Sequence, residues 1–436
     1  MSELILRSKI SQIAESLECK EPAGIILSGV IGSGKTTVAS EVCRRLEKTG
    51  FDILRFDGDD VQFRAAIRAN TRIFVEEIIQ SGLQRPLIFV DEVQKEPEIF
   101  DAIKLAFDKK KASFIVTGSN PAFLHLQAQN RLQRRGTRVN LFPLSIPEIA
   151  THKNILANFE MQTFTNLLWE TKNPLAESLP TLRKPPEMDG LTHLYLIKGG
   201  LPLAVKSPSI RRALSQIQLS VERGVTDTFH NTIAVADEVR RHLAFGNSQE
   251  FTYQSVHQKI RSTKRNIVDN VLDHLMNHGY IFKKRPYLEE FETSKSTYFA
   301  NYSWVDPGMV SYFQGNIEPN EQELGFRLEG YIHTRLQEHL ERIPLSSQIY
   351  YHKPFTLKSS ADALTFKPGE IDFIVQIGER IIPIEVKSTM KLADIDTSLM
   401  RSYLKKYCRP FGIVLYGGSP HIDVEERIIY FPYWYV

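Results

Sequence analysis

Cysteine is scarce in this chain: there are three in 436 residues. Cys19, Cys43 and Cys408 lie too far apart in sequence to make a disulfide framework or a metal-ligand cluster. That excludes the small stapled scaffolds of secreted proteins and fits a reducing cytoplasm. No apolar run approaches the roughly 20 residues that a membrane-spanning helix needs. The amino-terminal stretch spaces Leu4, Ile5, Ile10, Ile13 and Leu17 as an amphipathic helix does, without the continuous apolar core or cleavage site of a signal peptide. Neither sign of charge dominates, since 54 Lys and Arg against 51 Asp and Glu leave a formal +3. Whole-chain charge is therefore silent about nucleic acid, and any basic footprint has to be local. Internal repeats and low-complexity tracts are missing as well. The composition, 42% hydrophobic and 24% charged, predicts a soluble, cytoplasmic protein with no membrane partner, and the length predicts two to four domains.

Residues 24–145 alternate short apolar runs with helical stretches. Gly24-Ile25-Ile26-Leu27, Ile53–Phe56, Leu87–Val90 and Phe114–Thr117 read as strands, with helices over Thr36–Thr49 and Pro97–Asp108. That rhythm predicts an α/β domain over residues 1–150, a parallel sheet with helices on both faces. Residues 151–235 read as helical, 236–313 as a small helical unit closed by a hairpin, and 314–436 as a second α/β domain.

The strongest local signal is Gly29-Val30-Ile31-Gly32-Ser33-Gly34-Lys35-Thr36, the eight-position P-loop pattern, placed between a buried strand and a helix. The glycines let the backbone wrap a phosphate, and the helix amino terminus adds partial positive charge. Gly29, Gly32, Ser33, Gly34, Lys35, Thr36 and Thr37 are the expected nucleotide-binding residues. Lys35 reaches the β- and γ-phosphates of ATP, and the Thr36 hydroxyl ligates Mg²⁺. Two chemistries fit that loop. With Phe56-Asp57-Gly58-Asp59-Asp60 after the second strand, it resembles small-molecule kinases such as adenylylsulfate kinase. Leu87-Ile88-Phe89-Val90-Asp91-Glu92, an apolar strand ending in two carboxylates, is a Walker B arrangement and favours hydrolysis. Asp91 holds the metal through water and Glu92 acts as general base, a group a kinase does not need. Val116-Thr117-Gly118-Ser119-Asn120 ends a further strand where Ser119 or Asn120 could contact the γ-phosphate or the lytic water. Arg131, Arg134, Arg135 and Arg138 offer an arginine finger.

The chain resembles a large prokaryotic group of AAA-type ATP-binding proteins carrying a carboxy-terminal domain of unknown function. The matching stretches are Val90-Asp91-Glu92-Val93-Gln94-Lys95, Thr117-Gly118-Ser119-Asn120, Leu141-Phe142-Pro143-Leu144-Ser145-Ile146-Pro147-Glu148, Lys198-Gly199-Gly200-Leu201-Pro202, Val305-Asp306-Pro307-Gly308-Met309 and Gly325-Phe326-Arg327-Leu328-Glu329. The family usually shows Gly-Arg ahead of its Pro-Leu-Ser block. Arg134-Arg135 stands there in this chain, so the resemblance assigns the family arginine to Arg135 while the glycine is absent. It also implies possible homo-oligomers, because AAA-type sites often borrow an arginine from a neighbouring subunit.

Two further patterns suggest DNA as a partner. Phe251–Ile260 and Ser262–Met276 read as two helices, followed by Gly279–Arg285 and Ser296–Asn301 as a two-stranded wing, the outline of a winged helix with Ser262-Thr263-Lys264-Arg265-Asn266 at its reading end. The competing reading is a packing module with solvated lysines. In residues 314–436, Glu370-Ile371-Asp372-Phe373 and Ile384-Glu385-Val386-Lys387 form a hairpin that matches the PD-(D/E)XK nuclease pattern. Asp372 and Glu385 bind Mg²⁺, Lys387 orients or activates water, and Glu329 on the preceding helix matches the acidic residue set over the metal. Many such folds only bind, so a non-catalytic binding domain, serving an ATP-dependent switch or scaffold, stays open beside a working nuclease.

Overall fold

The computed structural model describes residues 5, 7–80, 82–109, 112–133, 135–226, 233–251, 265–287, 300–358, 363–366 and 369–436. By its contacts the chain forms two units, one of Met1–Pro143 with Leu201–Leu203 and Leu272–Tyr280, the other of Leu144–Gly200, Ala204–Val271 and Ile281–Val436.

The first unit is built on β1 (Gly24–Ser28), β2 (Asp52–Asp57), β3 (Pro86–Asp91), β4 (Ser113–Gly118) and β5 (Thr137–Asn140). They form an all-parallel sheet in the order β2-β3-β4-β1-β5. Successive strand side chains alternate faces, and at the central strands β1, β3 and β4 both faces are covered, which is why those three read as unbroken apolar runs. Ile25, Leu27, Leu87, Phe89 and Ile115 pack with α1 (Ser8–Leu17) and α2 (Lys35–Glu47). Ile26, Ile88, Val90, Phe114 and Val116 pack on the other side with α3 (Val61–Gln80) and α4 (Ile99–Asp108). The expected parallel sheet is present with β1 to β4 in the expected places, and β5 is a fifth strand that the sequence reading does not include.

The second unit contains β6 (Glu250–Phe251), β7 (Ile281–Pro286), β8 (Ala300–Trp304), β9 (Ser347–His352), the small hairpin β10 (Phe355–Lys358) and β11 (Ala363–Phe366), then β12 (Ile371–Ile377), β13 (Arg380–Val386), β14 (Gly412–Tyr416), β15 (His421–Asp423) and β16 (Ile428–Pro432). Apart from the small hairpin they make one mixed sheet in the order β15-β16-β14-β13-β12-β9-β7-β8-β6. The hairpin expected to stand as a wing is not separate. β7 runs parallel to β9 through Arg285↔Tyr350 and Pro286↔Tyr351, so β7 and β8 extend the carboxy-terminal sheet, while residues 296–299 of the expected second wing strand fall outside the described residues. Lys284, expected among solvated lysines, is 0% exposed. The helix expected over Phe251–Ile260, apart from Phe251 in β6, and the Ser262-Thr263-Lys264 start fall outside the described residues, while Arg265–Asn277 is helical.

Several of the stretches that carry the family resemblance have structural roles. Ser145 and Glu148 form a reciprocal capping box at the helix Ile146–His152. Arg327, 1% exposed, donates to the Leu196 carbonyl at 3.3 Å, Ser311 Oγ at 2.9 Å, Gln314 Oε1 at 2.7 Å and the Asn316 carbonyl at 3.1 Å. Lys198-Gly199-Gly200 and Asp306-Pro307-Gly308 form a clamp. The buried Asp306 carboxylate accepts the Gly200 N–H at 2.6 Å and the Gly308 N–H at 2.8 Å. A Cβ on Gly199, whose φ is +78°, would lie 1.8 Å from Asp306 Oδ1, so only glycine fits there. Burial pushes the Asp306 carboxyl up to about 6 despite those N–H donors. Asp306→Ala leaves two buried N–H groups without an acceptor, at roughly 1–3 kcal/mol each. The expected result is a melting temperature several degrees lower, read by thermal unfolding; an unchanged one would show that the clamp contributes nothing.

Candidate functional site

In the amino-terminal unit the P-loop leaves the carboxyl end of β1 and enters α2. Gly34 is the N-cap of α2 in a left-handed conformation, φ 91°, which a side chain would resist. Gly29 is closely packed, since a Cβ there would lie 2.4 Å from the Leu141 carbonyl oxygen. Lys35 is 5% exposed, and its Nζ donates to the carbonyls of Gly29 at 3.0 Å and Val30 at 3.2 Å. Burial lowers its pKa, and Glu92 and Asp91 oppose that shift, so both carboxylates act on this ammonium. Thr36 and Thr37 are exposed at the start of α2, while Gly32 (φ 84°) and Ser33 complete the turn.

The sheet order places β4 between the P-loop strand β1 and the carboxylate strand β3. The end of β4 therefore supplies the polar groups that hold the carboxylates. Thr117 Oγ1 donates to Asp91 Oδ1. The Glu92 N–H donates to the same oxygen at 3.1 Å and lies 3.3 Å from Thr117 Oγ1. Glu92 itself sits at φ 46°, ψ 44°, a left-handed conformation unusual for a non-glycine residue and typical of functional turns. Its carboxylate oxygen Oε2 accepts from Ser119 Oγ at 3.2 Å and from Gln94 Nε2, and Gln94 Nε2 also lies 3.0 Å from Ser119 Oγ. Thr117 and Gln94 have no role in the sequence reading, although both fall inside the stretches that carry the family resemblance.

Two expected roles change. Asn120 caps the helix Pro121–Gln127, its Oδ1 accepting the Phe123 N–H at 3.0 Å, so Ser119 and not Asn120 meets Glu92. Arg135 lies just before β5, whose first paired residue Thr137 stands beside Ile25, whereas the P-loop departs after Ser28. That is the opposite end of the sheet, about 15 Å away along the strands, and Arg135 is ion-paired there with Asp108. It is not brought to its own chain's P-loop. Arg131 pairs with Asp101 and Arg138 contacts the His125 ring, while Arg134 lies outside the described residues.

Asp91 and Thr36 are hard oxygen donors of the kind Mg²⁺ takes together with nucleotide phosphates and water. Thr117 Oγ1 and the Glu92 N–H both bond Asp91 at Oδ1.

The second unit gathers the other expected residues. β12 and β13 pair through Phe373↔Ile384, which sets Asp372 across from Glu385 one step further on, and Lys387 two residues beyond Glu385 shares its face. The pairing of β12 with β9 shifts register between Ile371 and Ile374, the stretch that holds Asp372. Asp372 Oδ2 accepts the Val386 N–H at 2.7 Å, and Lys387 Nζ lies 2.9 Å from Glu385 Oε2. Burial raises the carboxyls of Asp372 and Glu385, with Lys284 pulling back on the first and Lys387 on the second. Burial works against the Lys387 ammonium, but Glu385 and Asp372 outweigh it and hold that pKa up. Glu329, on the helix Glu321–Leu340, is ion-paired with Lys284. Asn301 Nδ2 donates to Glu370 Oε1 at 2.9 Å beside them. Among the described residues no three His, Cys, Asp or Glu side chains are disposed to hold one ion. The two carboxylates of Asp372 and Glu385 still suit a hard cation that keeps most of its waters.

A loop that wraps phosphate, a helix behind it and a neighbouring pair of held carboxylates define a P-loop nucleotide-binding domain. Residues 21–150 match the family described as AAA domain, and residues 324–436 match the family described as domain of unknown function (DUF4143). The chain thus carries an amino-terminal AAA-type ATP-binding domain and a carboxy-terminal domain of unknown function. No curated protein matches it. Among solved structures it is similar to the Aeropyrum pernix ORC1 protein in complex with DNA, at 14% identity over 71% of this chain and 92% of that one, TM-score 0.30. It is also similar to Rhizobiales Trip13, at 15% identity over 38% of this chain and 74% of that one, TM-score 0.27. The ORC of Drosophila bound to DNA gives 12% identity over 70% and 84%, TM-score 0.27. Likeness at that level says nothing of what this chain binds. Among the described residues no helix is long and apolar enough to cross a membrane.

Proposed function

We propose that the AAA domain binds ATP with Mg²⁺ and hydrolyses it, and that the carboxy-terminal domain is a nuclease-like module that takes a divalent cation and acts on DNA. The observation that carries the first part is Glu92 held by Ser119 and Gln94 beside Asp91. A carboxylate fixed there is placed to polarise a water, with Asp91 and Thr36 holding the magnesium and Lys35 the phosphates. When bound, the ion neutralises phosphate charge. The kinase reading is less well supported. Asp57 ends the edge strand β2 beside Asp91 and Asp59 lies just past it, three strand spacings, roughly 14 Å, from β1.

For the carboxy-terminal domain the support is Asp372 facing Glu385, with Lys387 against it. Asp372 and Glu385 would hold the cation, and Lys387 would position the attacking water. Mg²⁺- or Mn²⁺-dependent DNA cleavage is expected from the wild type and is expected to vanish in Glu385→Ala and Lys387→Ala; equal cleavage by those variants points to a contaminant. Lys284 is buried, leaving the exposed Arg285 and the half-buried Lys283 on β7. Wild-type protein that turns over ATP but never cuts DNA would favour the second reading, an ATP-dependent switch whose carboxy-terminal domain only binds. With Arg135 far from its own P-loop, an arginine from a neighbouring subunit of a homo-oligomer is part of the same proposal.

A further inference from the structure

Lys284 has no place in the nuclease pattern, yet it stands at the centre of the site. It arrives from β7, and it is 0% exposed. Its Nζ donates to Glu329 Oε1 and, at 2.8 Å, to the Asp372 carbonyl. It also lies 4.2 Å from the Phe373 ring centroid, over the face of the ring. An ammonium has three donors and no acceptor, and these three surroundings accommodate all of them. The Asp372 carbonyl is the one expected to leave the ladder, because the slip between Ile371 and Ile374 breaks the pairing there. Burial drives the Glu329 carboxyl upward and Asp372 adds to that, while Lys284 pulls it back. Two such carboxylates sharing a dry site repel each other unless a cation lies between them.

We propose that Lys284 is a resident cation of the carboxy-terminal site: its ammonium fills the Glu329 corner, so that Glu329 is not a metal ligand and the site takes a single divalent ion at Asp372 and Glu385. Lys284 is a positioning residue, fixing Glu329 and the Asp372 backbone from a strand outside the hairpin that carries the nuclease pattern. This rests on the reading of Asp372 and Glu385 as a cation site.

The test is calorimetric titration of nucleotide-free, full-length protein with MnCl₂, which reads stoichiometry without any cleavage. Wild type is expected to bind one Mn²⁺, lost in Glu385→Gln and kept in Glu329→Gln. Lys284→Ala is expected to bind a second Mn²⁺ that disappears again when Glu329→Gln is added, and Lys284→Arg is expected to bind one. Lys284→Ala with unchanged stoichiometry, or loss of the single ion in Glu329→Gln, overturns the proposal while leaving the cation site standing. Should Lys284→Ala fail to fold, the Glu329→Gln result decides alone. Wild type that binds no Mn²⁺ removes the cation site itself and this inference with it.

Discussion

Glu92→Gln protein is expected to bind ATP as wild type does and to release phosphate roughly 10²–10⁴-fold more slowly, the usual contribution of a positioned general base. Glutamine keeps an oxygen that can accept from Ser119 and Gln94, so the left-handed turn at residue 92 and the neighbouring Asp91 are left in place. What it removes is the negative charge that draws a proton from water. Binding of a fluorescent ATP analogue and single-turnover phosphate release, measured side by side, separate the two effects. Equal hydrolysis by the variant would move the general base elsewhere, and equal loss of binding would make Glu92 a structural residue.

Lys35→Ala is expected to weaken ATP binding by roughly 30-fold to several thousand-fold. Removing one partner of a buried, hydrogen-bonded charge pair costs about 2–5 kcal/mol, and each 1.4 kcal/mol is about a factor of ten. The Lys35 ammonium is already buried and held by the loop carbonyls of Gly29 and Val30, so little side-chain freedom is lost when phosphate replaces them. The loop should keep its shape in the variant, because Gly29, Gly32 and Gly34 set its backbone. Equilibrium binding of labelled ATP checks this, with the melting temperature confirming the fold; affinity within a few-fold of wild type would contradict the assigned role of Lys35.

Strands β1 to β4 were legible as short, mainly apolar runs between turn residues, β5 (Thr-Arg-Val-Asn, half exposed) was not, and the P-loop was legible because its chemistry is contiguous from Gly29 to Thr36. Asp91 and Glu92 were legible for the same reason. The groups that hold them were not. Thr117 lies 26 residues from Asp91 and meets it only because β4 is inserted beside β3, a pairing that periodicity does not announce. Asn120 looked like a sensor because a polar residue ending a strand and a polar residue capping a helix have the same composition. Arg135 was placed by its neighbours in sequence, and sequence alone did not show that it precedes β5 at the far end of the sheet. In the carboxy-terminal site the hairpin of Asp372, Glu385 and Lys387 was visible as alternation. Lys284 was hidden, since it lies 45 residues before Glu329 and 88 before Asp372. A lysine between Lys283 and Arg285 on a strand reads as solvated until that strand is paired with β9 and becomes part of a covered sheet.

The central claim is that the amino-terminal site hydrolyses ATP. Its most direct test is release of inorganic phosphate from ATP with Mg²⁺ by the wild-type chain, with and without DNA, beside Lys35→Ala. The expected result is sustained phosphate release by the wild type that falls to background in the variant. Wild-type protein that binds ATP yet releases no phosphate under either condition, or that places the phosphoryl group on an added small acceptor instead, would contradict it.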